Sequence, residues 1–211
     1  MQVLDCNKNN LKMAIQALLT NKVVVYPTET AYGLGGNALN KDVVQKIYTI
    51  KDRPKEKLLT VIVASFEMAY EFFEFDHTSL SLAKKYWPGA LTLLVRPKTS
   101  VLDILFAVKV ESENYGAKAQ NKIGVRISSN KIARALSEGI NSPLIATSAN
   151  VSGHPPCYTK DEVIQEFQGR TYAPDFMLDY GHLQNTKPST IVAVEDGALK
   201  VVRQGVLFIG M

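Results

Sequence analysis

Short runs of Val, Ile and Leu, closed by proline, glycine or polar clusters, alternate along this chain with stretches whose apolar residues recur every three or four positions. A buried strand asks for the first pattern and an amphipathic helix for the second. Their alternation is the signature of an α/β domain. Residues 23–26 form a β-branched run closed by Pro27 and read as a strand. Runs at 59–64, 91–95, 123–127 and 144–147 read the same way, the second of them ending before Pro97. Runs at 191–194 and 199–202 pair as a hairpin across Glu195, Asp196 and Gly197. Helices are predicted over 11–19, over a stretch capped by Asn40 with Val43, Val44, Ile47 and Tyr48 inward, and over 80–87, stopped by Pro88 and Gly89. Two more cover 132–138, ended by Gly139, and a segment through Phe167 opened by the capping-box pair Thr159 and Glu162. These elements fit one twisted open mixed sheet with flanking helices, in a single domain over residues 1–211.

A chain of 211 residues with 46% hydrophobic and 21% charged residues buries a core without disulfides or a structural metal. Cys6 and Cys157 are far apart and form no CxxC pair, which points to a reducing compartment. His77, His154 and His182 lack metal-ligand spacing, so no metal site is expected. No apolar run reaches the roughly 18 residues of a membrane span, and the first ten residues hold no signal-peptide core. The expectation is a soluble, cytoplasmic protein with no membrane partner. A net charge of +4 suits a phosphate-bearing ligand or an RNA surface. Residues 99–121 lack a pattern and read as a long loop.

Four constellations could carry chemistry. The first is Pro27-Thr28-Glu29-Thr30-Ala31-Tyr32-Gly33-Leu34-Gly35-Gly36, where hydroxyls, a carboxylate and a phenol precede three glycines. Such glycines either let backbone approach a ligand or serve a strand-to-helix turn. It is neither a GxGxxG fingerprint nor a GxxxxGK[ST] loop. The second is Lys51-Asp52-Arg53-Pro54-Lys55-Glu56-Lys57, a cation fork suited to a polyphosphate or a solvated helix end. The third is Thr147-Ser148-Ala149-Asn150-Val151-Ser152-Gly153, a polar loop after a buried strand. There, open α/β sheets bind ligands. The fourth is the arginine pair Arg126 and Arg203 at the ends of apolar strands, with Pro188-Ser189-Thr190 nearby. An arginine in a buried strand needs an ion pair or a ligand cleft. No nucleophile triad and no HExxH motif is present.

In this order, these pieces resemble the YrdC-like family of threonylcarbamoyl-AMP synthases. Added to them are Trp87-Pro-Gly-Ala-Leu-Thr92, Gly124-Val-Arg-Ile127 and Val202-Arg-Gln-Gly205. The resemblance implies a large basic cavity in which ATP, accompanied by Mg2+, and L-threonine bind side by side. Threonine and bicarbonate form a carbamate that attacks the α-phosphate and releases pyrophosphate. The product passes to downstream tRNA-modification proteins, and tRNA or double-stranded RNA is a further implied partner. By resemblance, Thr30, Arg126, the Ala146 backbone and Ser189 hold threonine. Lys51, Arg53, Lys57, Ser148, Asn150, Pro156 and Arg203 face ATP, and Lys122 is a further candidate. The chain departs from the family pattern at Leu58, Ile62 and Ser128, where proline, histidine and proline are usual, in segment 100–121, and at Asp179-Tyr180-Gly181. Two other readings use the same cavity. One is a non-catalytic RNA-binding or ribosome-maturation module; the other is carbamoyl-adenylate chemistry starting from carbamoyl phosphate.

Overall fold

A computed structural model describes residues 1–54, 59–98, 122–195 and 197–210. Strand β1 (Gln2–Asp5) leads into helix α1 (Lys8–Leu19). That helix starts earlier than its apolar period indicates, because the Asn7 side chain accepts from the N–H groups of Asn9 and Asn10 at 3.0 Å. Strands β2 (Val24–Pro27) and β3 (Tyr32–Gly35) form a buried antiparallel pair. The glycine run is thus a strand, and close approach explains its composition. A Cβ on Gly35 would stand 1.9 Å from the Ile145 carbonyl oxygen. Helix α2 (Lys41–Ile50) is capped by Asn40 and buries Val43, Val44, Ile47 and Tyr48, as its pattern predicts.

The chain continues through β4 (Thr60–Ile62), α3 (Phe66–Phe72), β5 (Phe73–Glu74), α4 (His77–Tyr86), β6 (Leu91–Pro97) and β7 (Ile123–Arg126). It ends with α5 (Lys131–Gly139), β8 (Leu144–Ile145), β9 (Thr147–Ser148), α6 (Lys160–Phe167), β10 (Phe176–Asp179), β11 (Thr190–Glu195) and β12 (Ala198–Arg203). The β11–β12 hairpin falls where the sequence places it. Residues 55–58 and 99–121 lie outside the described residues, and with them Lys57, Leu58 and the expected long loop.

The mixed α/β class holds, but the strands divide into two sheets. One runs β1-β10-β2-β3-β9; the other runs β12-β11-β6-β7-β4-β8, with β5 on β6. The run at 144–147 is where they part. Ile145 pairs with Val61 in one sheet, and Thr147 pairs with Leu34 in the other. Ala146 is the step between them. Strand β2 is buried on both faces: Val24 and Tyr26 join a core with α1 and α5, while Val25, with Val23 just before the strand, joins the larger core under α2 and α3. A strand covered on both sides reads as an unbroken apolar run.

Helix α6 carries the capping box expected of it: Thr159 Oγ1 accepts from the Glu162 N–H at 3.2 Å and Glu162 Oε2 from the Thr159 N–H at 3.0 Å. Thr159→Ala is expected to lower stability by about 1 kcal/mol. Urea unfolding checks this, and an unchanged midpoint would mean that packing of Val163 and Phe167 alone holds the helix. Among the described residues, no helix is long and apolar enough to cross a membrane.

Candidate functional site

A cavity of about 300 Å³ opens where the two sheets part. The first sheet gives it Tyr32, Gly33, Thr147 and Ser148; the second gives Thr60, Gly124, Arg126 and Arg203. Its described walls carry Arg53, Arg126 and Arg203 and no Asp or Glu. Three guanidinium groups without a lining carboxylate make the potential there positive.

The floor is a row of short residues. Gly124 in β7 sits opposite Thr60 of β4, and a Cβ on it would stand 2.7 Å from Thr60 Cγ2 and 3.0 Å from Thr92 Cγ2. Glycine therefore sets the cavity's depth. The Thr60 hydroxyl donates to the Ala146 carbonyl, and the Ala146 N–H donates to the Thr60 carbonyl at 2.8 Å. Ala146 lines the cavity with both backbone groups already bonded.

Arg126 is 8% exposed at the end of β7. Its Nε stands 3.3 Å from Glu29 Oε1, and the Ser128 hydroxyl donates to Glu29 Oε2. One partly buried carboxylate thus stands behind the arginine. Thr30 is fixed by the turn that joins β2 to β3. Thr28 Oγ1 lies 3.1 Å from Thr30 Oγ1, donates to the Ala31 carbonyl and accepts from the Thr30 N–H. Thr186 Oγ1 donates to the Thr30 carbonyl, and Tyr158 donates to the Thr186 carbonyl. Across the cavity, Arg203 donates through Nε and Nη2 to the Ser189 carbonyl. The Tyr32 phenol donates to the Gly181 carbonyl and accepts from the Tyr180 N–H. Burial first, then the Asp179 carboxylate, push its pKa up to about 12 against that N–H bond.

Three consecutive residues leave α2 in three directions. Lys51 turns inward, 1% exposed, and donates Nζ to the carbonyls of Ser148 and Asn150 at 2.5 Å. Asp52, with φ of 45°, forms an ion pair with Arg170. Arg53 reaches the cavity wall. Of the candidates named from sequence, Thr30, Arg53, Arg126, Ala146, Ser148, Pro156, Ser189 and Arg203 come together there. Lys51 and Asn150 do not line it. Asn150 instead donates Nδ2 to the carbonyls of Val151 and His154. Lys122 donates to the Val194 carbonyl outside the lining, and Ile62 is fully buried in the core with Tyr26 and Leu144. Glu29, Thr60, Tyr158 and Thr186 escaped the sequence reading of the site. Only Glu29, inside the first motif, carried a signal.

Burial first, and Arg53 second, bring the Lys51 pKa down to about 7 from its ordinary 10.5. The unfolded chain keeps that proton up to about pH 10.5, so between the two values it binds more protons than the folded one. Stability from this residue therefore rises with pH across that window and is lost as pH falls through 7. Lys51→Met is expected to flatten the rise, measured as urea midpoints from pH 7 upward. An unchanged slope would show that Lys51 keeps its proton when folded. Cys157, pushed up to about 12 by burial and then by Glu166, stays a thiol and is no nucleophile. Among the described residues, no three His, Cys, Asp or Glu side chains could hold a metal ion.

A basic, hydroxyl-lined cleft at the parting of two mixed sheets is the feature that marks this α/β protein. The sequence relationships agree with that architecture. The chain belongs to the Sua5/YciO/YrdC family, whose model, described as telomere recombination, matches residues 16–205. It is 32% identical over 95% of its length to a putative threonylcarbamoyl-AMP synthase of Methanocaldococcus jannaschii, covering 87% of that protein. It is 31% identical over 96% of its length to the threonylcarbamoyl-AMP synthase of Bacillus subtilis, of which it spans only 55%. The crystal structure of Pyrococcus abyssi Sua5 complexed with L-threonine matches 97% of this chain and 56% of that one. The TM-score is 0.80 at 28% identity.

Proposed function

We propose that the chain is an L-threonylcarbamoyladenylate synthase, a nucleotidyltransferase that joins L-threonine, bicarbonate and ATP into threonylcarbamoyl-AMP and pyrophosphate. The observation that carries this reading is the cavity wall, whose described residues include three arginines around the hydroxyls of Thr30, Ser148 and Ser189, with the Glu29 carboxylate set behind Arg126 rather than in the lining. Two anions must meet here, a carbamate and a triphosphate, and preorganised cations offset their repulsion. Arg126 offers a planar fork to the threonine carboxylate, with Thr30, Ala146 and Ser189 around the rest of the amino acid. Arg53, Ser148, Pro156 and Arg203 face the nucleotide. Lys51 and Asn150 act from behind, through the loop they brace. No side chain needs to be a nucleophile, because the carbamate oxygen attacks the α-phosphorus and pyrophosphate leaves. The described residues offer no ligand cluster for Mg2+, so the ion would travel on the phosphates. The adenylate would pass, in the cytoplasm, to proteins that modify tRNA.

The test is pyrophosphate release from ATP and bicarbonate, with and without L-threonine, with L-serine and carbamoyl phosphate as controls. Release that requires threonine is expected. Release driven by carbamoyl phosphate, or nucleotide binding without any threonine dependence, would overturn the assignment.

A further inference from the structure

Ser189 lines the cavity yet is 3% exposed, so its hydroxyl has few directions open to it. Two groups reach its Oγ: Arg203 Nη2 at 3.1 Å and Thr92 Oγ1 at 2.9 Å. A guanidinium can only donate, so Arg203 fills one lone pair of Oγ. Thr92 decides the other bond. It is 1% exposed, and among the described residues Ser189 Oγ is the one acceptor its hydroxyl has. If Ser189 donated to Thr92, the Thr92 proton would be buried with nowhere to go, which native interiors avoid. Thr92 therefore donates. Both lone pairs of Ser189 Oγ are then used, and its own proton is left for the cavity. Thr92 cannot easily turn away, since its Cγ2 packs over Gly124, where even a Cβ would be 3.0 Å distant.

We infer that Thr92, beneath the cavity floor, is a positioning residue that locks Ser189 as a hydrogen-bond donor and so restricts that corner to a ligand oxygen with a lone pair to offer. On the functional reading above, on which this identification of the ligand rests, that oxygen is on the carboxylate of L-threonine. An ammonium or a donor hydroxyl finds no acceptor on Ser189.

Thr92→Val, Ser189→Ala and the double variant test this, with Thr92→Ser as the conservative control. Without ligand, Ser189→Ala strands the Thr92 proton and is expected to lower the thermal midpoint by roughly 4 °C or more, and adding Thr92→Val is expected to restore part of that loss. With L-threonine, Thr92→Val is expected to raise KM about tenfold in pyrophosphate release with kcat unchanged. Thr92→Ser stays near wild type, and Thr92→Val adds nothing in the Ser189→Ala background. Additive KM effects, or a double variant less stable than Ser189→Ala, would overturn the inference. If wild-type protein releases no pyrophosphate with threonine, the functional reading fails, while the ligand-free midpoints still decide which way the Thr92 bond runs.

Discussion

Arg126→Ala is expected to cut threonine-dependent pyrophosphate release by at least about a hundredfold, the loss typical of one preorganised charge-stabilising donor. The chain aims this guanidinium with care. It ends a buried strand, stands 8% exposed in the cavity wall, and is backed by Glu29, which Ser128 holds in turn. Removing the arginine also leaves the partly buried Glu29 carboxylate without its cation, which lowers stability as well. Glu29→Gln added to Arg126→Ala relieves that charge and separates the two effects. If the double variant is folded and still inactive, the loss belongs to binding. Arg126→Lys keeps the charge without the fork and is expected to raise KM for threonine more than it lowers kcat. Wild-type turnover in a folded Arg126→Ala protein would remove Arg126 from the amino-acid site.

Gly35→Ala is expected to be severely damaging, costing more than about 3 kcal/mol and lowering the midpoint by roughly 6 °C or more. The new Cβ would stand 1.9 Å from the Ile145 carbonyl oxygen and 2.9 Å from Tyr26 Cε1. Backbone on one side and a fully buried ring on the other leave no flexible partner to yield. Pushing Ile145 away also breaks the 2.8 Å bond from the Tyr26 phenol to its carbonyl, a phenol that burial keeps protonated. Because Ile145 precedes the Ala146 step, the displacement reaches the cavity. Gly210→Ala, with no atom within 4 Å of its Cβ, is the control and is expected within about 0.5 kcal/mol of wild type. A Gly35→Ala protein of ordinary stability would show that β3 and β8 are not held at this distance in solution.

Local signals survived into the structure wherever a nearby residue satisfies them. Asn40 and the Thr159–Glu162 pair cap the helices assigned to them, and the β11–β12 hairpin closes where glycine allows. What stayed hidden depends on partners far along the chain. Strand β1 is four residues with no alternation, and its reason for existing is parallel pairing with β10. The step at Ala146 interrupts a run that looks continuous, because an apolar pattern does not say which sheet it serves. The cation motif around Lys51 was legible as a motif, but the direction of each side chain was not. A lysine that leaves a helix end reads as solvated until the carbonyls of Ser148 and Asn150 are placed beside it. Glu29 likewise stood inside a recognised motif with no hint that Arg126 and Ser128 would meet on it.

Strand β2 leaves neither face to solvent. Val24, Val25 and Tyr26 are each answerable to one of two cores, so a substitution at any of them has no neutral direction in which to drift. At 28–31 the Thr28 hydroxyl is itself buried and bonds the Ala31 carbonyl and the Thr30 N–H, so the turn inherits the constraint of the strand before it. The rigidity of β2 thus passes through its turn to Thr30, and sets where that residue meets the cavity wall.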